Sequence, residues 1–146
     1  MARRVTAGIM TLGLVALTAS LAASQGASVP GQDAKTTIWD GVYTEAQAAR
    51  GSEQFSAKCL FCHRNDLSAG ELGRALKGPS FRGRWEGPVA SLYYKIGATM
   101  PHNAATTLEP AAAVDIVSFI LKMNGAPAGD KELPPSNMLE QVFVTK

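Results

Sequence analysis

The pentapeptide Cys-Leu-Phe-Cys-His at residues 59–63 constrains this chain more than any other segment. It contains both cysteines and one of the two histidines among the 146 residues. Two thiols three residues apart lie on the same side of a helical turn, and the imidazole of His63 follows directly. Because the chain has only two cysteines and two histidines, the chemical role of this motif determines what the surrounding fold must enclose.

Three common uses of paired cysteines account for the motif poorly or only in part. A zinc site needs four ligands, whereas Cys62 and His63 are neighbours that point to different sides of a turn. A thioredoxin-like redox pair follows a strand and opens a helix, but here the motif closes a predicted helix. A structural disulfide between Cys59 and Cys62 stays open for an exported protein, although it leaves His63 without a role.

The spacing Cys-x-x-Cys-His is that of covalent haem attachment. Each thiol can add to one vinyl group of the haem, and the imidazole that follows can then face the iron. The sequence therefore predicts one haem c, attached through Cys59 and Cys62 and ligated by His63. Covalent haem attachment in bacteria takes place outside the cytoplasm, so this prediction requires export.

The N-terminus has the order of a secretory signal peptide. Arg3 and Arg4 precede the uncharged run 9–21, and small residues follow it. This run is shorter than the roughly 20 residues that a membrane-spanning helix needs. We expect cleavage near residue 24 and a periplasmic protein, with an uncleaved membrane anchor as the alternative. Cleavage leaves 12 basic and 12 acidic residues, a balance that argues against binding of nucleic acid.

A helix is predicted immediately before the motif. Residues 44–47, Thr-Glu-Ala-Gln, have the spacing of a capping box. The helix should run from about Glu45 to the cysteines, with Gly51 and Phe55 on its apolar face.

Two further helices are predicted after the motif, in a chain that shows no alternating strand pattern. A short helix is expected over residues 89–96, within a region that is rich in turns. A last helix opens with Pro110 in its first turn and stops at Asn124-Gly125. Its apolar stripe comprises Ala113, Ile116, Val117, Ile120 and Leu121.

From about Trp39 to Pro134 the chain resembles the single-haem class I cytochromes c. It is similar in particular to the bacterial cytochrome c domains that accompany quinoprotein alcohol dehydrogenases. The residues that carry the resemblance are the attachment motif, Gly51 and Phe55, Gly78-Pro79, Met100-Pro101 and the end of the last helix. The resemblance implies an all-α cytochrome c fold, in which three to four helices and long irregular loops surround one covalently bound haem.

The resemblance also implies roles for single residues. Gly51 and Phe55 would let the last helix cross the first closely, and the carbonyl of Pro79 would accept a hydrogen bond from His63. Trp85 would pack near the haem. The propionates need charged or polar donors, and Arg82, with Arg84 and Trp85, is a candidate.

The second iron ligand has several candidates in the sequence, namely Met100, Met123, Met138 and His102. Met100 is favoured because it lies in a loop between the haem motif and the last helix, and because the following proline holds its backbone extended. His102 is the alternative. The resemblance implies the same assignment, so the predicted metal ligands are His63 and Met100.

The domain organisation follows from these patterns. We expect a signal peptide over 1–24, a leader or linker rich in Gly, Ser, Ala and Pro over 25–42, a cytochrome c domain over 43–128, and a C-terminal tail over 129–146. The tail is a candidate docking segment or, equally, a strap that wraps the domain.

Iron held by His63 and Met100 has no open coordination position. We therefore expect an electron-transfer protein that cycles between Fe(II) and Fe(III), and not an enzyme. Its partners would be a dehydrogenase, an oxidase or a reaction centre, and it would meet a membrane only if the N-terminal segment is retained. The alternatives are a small cytochrome subunit of a dehydrogenase or of a respiratory or photosynthetic complex, and a haem enzyme or sensor whose methionine can be displaced.

Overall fold

Four helices and three very short strands make up the part of the chain that the computed structural model describes, residues 35–102 and 108–145. In chain order the elements are β1 (Thr36–Thr37), α1 (Glu45–Lys58), α2 (Gly78–Trp85), β2 (Gly87–Pro88), α3 (Val89–Thr99), α4 (Pro110–Met123), a 3-10 helix (Asn137–Glu140) and β3 (Val142–Val144). The expectation of a mainly helical fold is confirmed. The predicted signal peptide and residues 25–34 of the predicted leader lie outside the described residues.

Helix α1 forms as its capping residues predict. The hydroxyl of Thr44 accepts a hydrogen bond from the backbone N–H of Gln47 at 3.1 Å, which satisfies one of the unpaired donors at a helix start. The buried face includes Ala48, Gly51 and Phe55. Cys59 is the C-terminal cap, so the helix ends where the cysteine motif begins.

Helix α4 packs across α1, and Gly51 lies at the crossing. A Cβ atom at position 51 would lie only 1.9 Å from the carbonyl oxygen of Asp115, so only glycine permits this approach. The predicted apolar stripe of α4 is buried. The helix ends at Asn124, and Gly125 follows with φ +87°, in the left-handed region expected for such a stop.

The region between the motif and α4 contains more helix than the sequence predicts. The sequence predicts turns where α2 lies, because these eight residues include two glycines and a proline. It is anchored by the fully buried ring of Phe81. Helix α3 begins at Val89, as predicted, but extends to Thr99 instead of residue 96.

A small sheet corrects the expectation that strands are absent. Strand β3 lies in the middle, parallel to β1 with Thr36 opposite Val142, and antiparallel to β2 with Gly87 opposite Val144. Strands of two or three residues are too short to produce an alternating pattern, so the sequence gives no signal for them.

The segment after residue 129 packs against the helices. Leu133, Leu139, Val142 and Val144 are buried in the same core as the helices. The side-chain amide of Gln47 exchanges two hydrogen bonds with the backbone of Leu133, at 2.8 and 2.9 Å. Of the two alternatives left open by the sequence, the described part of the tail therefore adopts the second and wraps the domain.

The predicted leader contributes at least one residue to the core. Ile38, within the predicted leader, is fully buried, so the packed unit begins earlier than residue 43.

Within residues 35–102 and 108–145, no helix has both the length and the apolar character needed to cross a membrane.

Candidate haem-attachment site

The cysteine motif continues the helical turn with which α1 ends. The carbonyl of Cys59 accepts hydrogen bonds from the backbone N–H groups of Cys62, at 3.1 Å, and of His63, at 2.9 Å. Both thiols are free and half-buried. The turn thus places the two thiols and the imidazole at positions 59, 62 and 63 of one compact backbone unit, and it does not join the cysteines in a disulfide.

The environment of the thiols does not suit a thioredoxin-like exchange. Burial raises the pKa of Cys59 to about 11, with a small opposing effect of Lys58. A reactive disulfide-exchange cysteine has a lowered pKa and sits at a helix N-terminus, whereas Cys59 follows a helix C-terminus. In addition, no group of three or more His, Cys, Asp or Glu side chains that could hold a metal ion occurs among the described residues.

The ring of His63 is oriented by one hydrogen bond. Its Nδ1 atom lies 3.1 Å from the carbonyl oxygen of Arg74. A carbonyl oxygen can only accept, so Nδ1 is the donor of this bond and Nε2 is the ring nitrogen left for another contact. The ring also packs near Phe55 of α1, with the ring centroids 6.4 Å apart and tilted by 49°. The hydrogen bond and the ring contact therefore fix the orientation of the imidazole and leave Nε2 available for ligation.

Gly73 makes this arrangement sterically accessible. A Cβ atom at position 73 would lie 2.5 Å from the carbonyl oxygen of Cys62 and 2.7 Å from Nδ1 of His63. Any other residue would push the loop away from the imidazole. The roles of Gly73 and of the Arg74 carbonyl were missed by sequence reasoning, because one glycine in a turn-rich region has no distinguishing pattern and a carbonyl acceptor has no side-chain signature.

The expectation for Pro79 is revised by this geometry. The resemblance implied that the carbonyl of Pro79 accepts the hydrogen bond from His63, but the acceptor is the carbonyl of Arg74. The reason is steric, since Gly73 brings the preceding loop directly against the ring. Pro79 itself is exposed and lies in the first turn of α2.

Met100 lies on a different element, as the C-terminal cap of α3. Its backbone N–H donates to the carbonyl of Ile96 at 3.0 Å, and its φ of −124° and ψ of 143° are the extended values expected before a proline. The residue is half-buried. Of the other candidates for a second ligand, His102, Met123 and Met138 are exposed.

A cavity of about 340 Å³ adjoins the loop that contacts His63. It is lined by Ala69, Arg74, Ala75, Ser80 and Arg84. Arg84, and not Arg82, therefore shares a cavity with Arg74. Arg82 is half-buried on α2, and Trp85 at the end of that helix packs against the core.

A second cavity lies between α3 and α4. Its volume is about 310 Å³, and its walls are Tyr93, Tyr94, Gly97, Ala98, Leu108, Pro110 and Ala113. Gly97 and Ala98 belong to the last turn of α3, which leads directly into Met100.

Comparison with known proteins identifies a shared fold. Neither a protein-family model nor a curated protein matches this sequence. A chain in the crystal structure of the sulfane dehydrogenase SoxCD from Paracoccus pantotrophus is similar, with a TM-score of 0.52 and 20% sequence identity over 72% of this chain and 61% of that chain. The present chain thus spans about three fifths of the length of the solved chain. At this identity the likeness shows a common fold.

Proposed function

We propose that this protein is a single-haem c-type electron-transfer protein, with haem c attached through Cys59 and Cys62 and iron ligated by His63 and Met100. The observation that carries the proposal is the turn 59–63. It combines two free thiols with an imidazole whose Nδ1 is already occupied by the Arg74 carbonyl.

The residues of the turn fit the requirements of haem attachment. The thiols are three positions apart on one turn, the spacing of c-type attachment. The bond from Nδ1 of His63 to Arg74 leaves Nε2 as the ligating atom and raises its basicity. Gly73 leaves the space in which the imidazole is seated. The hydrogen bond of His63 and the space left by Gly73 would have no role in a structural disulfide, which uses only the two thiols.

The remaining roles complete the proposal. Met100, half-buried and extended at the end of α3, supplies the second ligand. Trp85 forms part of the haem wall, and Arg82 and Arg84 are the cationic groups of α2 that offer donors to the propionates. The haem, when bound, supplies one-electron Fe(II)/Fe(III) chemistry at a potential raised by methionine ligation. Because His63 and Met100 would both be used in holding the iron, we propose a carrier and not an enzyme.

The cellular setting follows from attachment chemistry and the N-terminal sequence. We propose export to the periplasm, with cleavage near residue 24 and redox proteins as partners: a dehydrogenase, an oxidase or a reaction centre. A second candidate is a fixed subunit of a dehydrogenase complex. It is favoured by the fold shared with a chain of a sulfane dehydrogenase.

Export of the full chain in a bacterium that matures c-type cytochromes tests the attachment. The mature polypeptide should carry the added mass of one haem, and a pyridine haemochrome spectrum should show two thioether links. The variants Cys59→Ala and Cys62→Ala should each lose one link. An unmodified wild-type polypeptide would sink the proposal.

The methionine assignment has its own test. Met100→Leu should abolish the near-infrared charge-transfer band of the oxidised protein and lower its reduction potential. The matched control is Met123→Leu, which changes a methionine at the end of α4 and should leave both unchanged. A Met100→Leu protein that keeps the band would point to another ligand, and rapid binding of carbon monoxide by the wild type would favour a sensor or enzyme.

A further inference from the structure

We propose that Asn124, at the C-terminal end of α4, is a positioning residue for His63. Its side chain holds the segment 74–78 in place, and this segment carries the carbonyl that accepts the hydrogen bond from the imidazole. The inference rests on the proposed role of His63 as an iron ligand. It adds that Asn124, on another element of the fold, influences the basicity of the ligating nitrogen of His63.

The side-chain amide of Asn124 connects two elements of the fold. Its Oδ1 accepts a hydrogen bond from the N–H of Gly78 at 2.9 Å, and its Nδ2 donates to the carbonyl of Leu76 at 2.9 Å. A third bond, from Nδ2 to the carbonyl of Ile120 at 2.8 Å, stays within α4. Among the described residues, no other hydrogen bond joins α4 to the segment 76–78.

The side chain is not needed to cap its own helix. The backbone N–H of Asn124 already reaches the carbonyls of Ile120 and Leu121, and the N–H of Gly125 reaches that of Lys122. Asn124 is buried, at 8% exposure, and a buried amide that lost its partners would destabilise the fold. Two of its three side-chain bonds are directed at the segment and not at the helix, so its distinctive contribution is made there.

The segment leads from Asn124 to the imidazole in a few residues. Leu76 is held on both sides, since its N–H donates to the carbonyl of Leu67 at 2.8 Å while its carbonyl accepts from Asn124. Two residues earlier, the carbonyl of Arg74 accepts from Nδ1 of His63. Because Gly73 lies directly against the ring, a displacement of residues 74–76 changes the length of that hydrogen bond.

The length of the hydrogen bond between His63 and Arg74 affects the basicity of Nε2, the proposed ligand atom. A carbonyl that accepts strongly from Nδ1–H makes the opposite nitrogen more basic and fixes the ring. A more basic ligand favours the oxidised metal. Loss of the Asn124 side chain should therefore weaken the hydrogen bond from His63 to the Arg74 carbonyl and lower the basicity of Nε2. The reduced iron is then favoured.

The test uses the full haem-loaded chain and two variants of Asn124. Asn124→Ala removes all three side-chain bonds. Asn124→Ser is neutral and small, and its hydroxyl can still bond the carbonyl four residues earlier in α4, but it does not span the distance to Leu76 and Gly78. The matched control is Ser118→Ala, which removes another buried polar group of α4, bonded only to the carbonyl of Val114.

The readouts are the reduction potential, the solvent exchange rate of the Nδ1 proton of His63 by NMR, and the thermal midpoint. Both Asn124 variants should raise the ratio of reduced to oxidised protein at a fixed solution potential by about threefold, which is roughly 30 mV for one electron. They should also accelerate exchange of the Nδ1 proton. Ser118→Ala should leave the reduction potential and the exchange of the Nδ1 proton at their wild-type values.

The outcomes separate this inference from the function on which it rests. If both Asn124 variants lose thermal stability but keep the wild-type potential and proton exchange, Asn124 is only structural and the inference is overturned. If Asn124→Ala does not fold, the Asn124→Ser variant decides by the same criteria. If the wild-type chain itself carries no haem, the proposed function fails and takes the inference with it.

Discussion

Gly51 of α1 lies directly against the carbonyl group of Asp115 in α4. A Cβ atom at position 51 would lie 1.9 Å from that oxygen and 2.5 Å from its carbon. The two helix backbones therefore approach each other without an intervening side chain. This crossing sets the direction in which α1 delivers Cys59 to the candidate site.

We predict that Gly51→Ala destabilises the protein, although alanine is the better helix former. The added methyl group meets backbone and not a flexible side chain, so the helices must separate. Overpacking of this kind costs about 1–3 kcal/mol, occasionally more, and we expect the upper end of that range. The measurement is the free energy of unfolding in denaturant. The matched control is Gly83→Ala in α2, where the new methyl group has no neighbour within 4 Å and should stabilise by roughly 0.5–1 kcal/mol. Equal effects of the two substitutions would contradict the close crossing.

Gly73→Ala should disturb the seating of His63. The new Cβ would lie 2.5 Å from the carbonyl oxygen of Cys62 and 2.7 Å from Nδ1 of the ring, so either the loop or the imidazole must move. We expect a smaller fraction of the exported protein to carry haem, and faster exchange of the Nδ1 proton in the fraction that does. Absorbance per polypeptide and NMR measure these two quantities. Wild-type values for both would mean that the loop moves without affecting the ring.

Arg50→Met should reduce stability through the buried carboxylate of Asp115. Arg50 donates to both oxygens of Asp115, at 2.9 and 3.0 Å, and to both oxygens of Glu132, at 2.9 and 3.0 Å. Asp115 is 7% exposed, and a buried acceptor left without its partner costs about 1–3 kcal/mol. Denaturant unfolding checks the value. The control Lys122→Met removes the exposed ion pair with Glu45 and should cost less than about 1 kcal/mol; a larger loss than that of Arg50→Met would refute the ranking.

Tyr43 should make the stability of the protein fall at alkaline pH. Its hydroxyl donates to the carbonyl of Ala126 at 2.5 Å, and burial, with a smaller effect of Glu45, raises its pKa from 10.0 to about 12. Between pH 10 and 12 the unfolded chain gives up this proton while the folded chain keeps it, so stability present below pH 10 is lost as the pH rises. Tyr43→Phe should be less stable than the wild type by about 1 kcal/mol at neutral pH.

The difference in stability between Tyr43→Phe and the wild type should then shrink and change sign as the pH rises from 10 to 12. Denaturant unfolding at a series of pH values measures it. Tyr94→Phe, which removes an exposed hydroxyl, should follow the wild-type curve. A constant gap between Tyr43→Phe and the wild type over this range would show that Tyr43 titrates alike in the folded and unfolded states.

Helices α1 and α4 could be predicted from the sequence because their signals are local and repeated. Thr44 and Gln47 mark the start of α1, and the apolar stripe of α4 persists over several turns before Asn124. Helix α2 and the three strands could not be predicted, since each is too short for a periodic pattern. They form because Phe81, Val142 and Val144 pack into a core that the other elements build.

The turn 59–63 is the part of the candidate site that the sequence determined by itself. Two thiols and an imidazole on neighbouring positions share one turn whatever the rest of the chain does, because backbone geometry alone places them. The acceptor for His63 was decided only by the tertiary structure. Every residue has a carbonyl group, so nothing in the sequence singles out Arg74. The close fit of Gly73 against the ring and the bonds of Asn124 to Leu76 and Gly78 bring that one carbonyl into place.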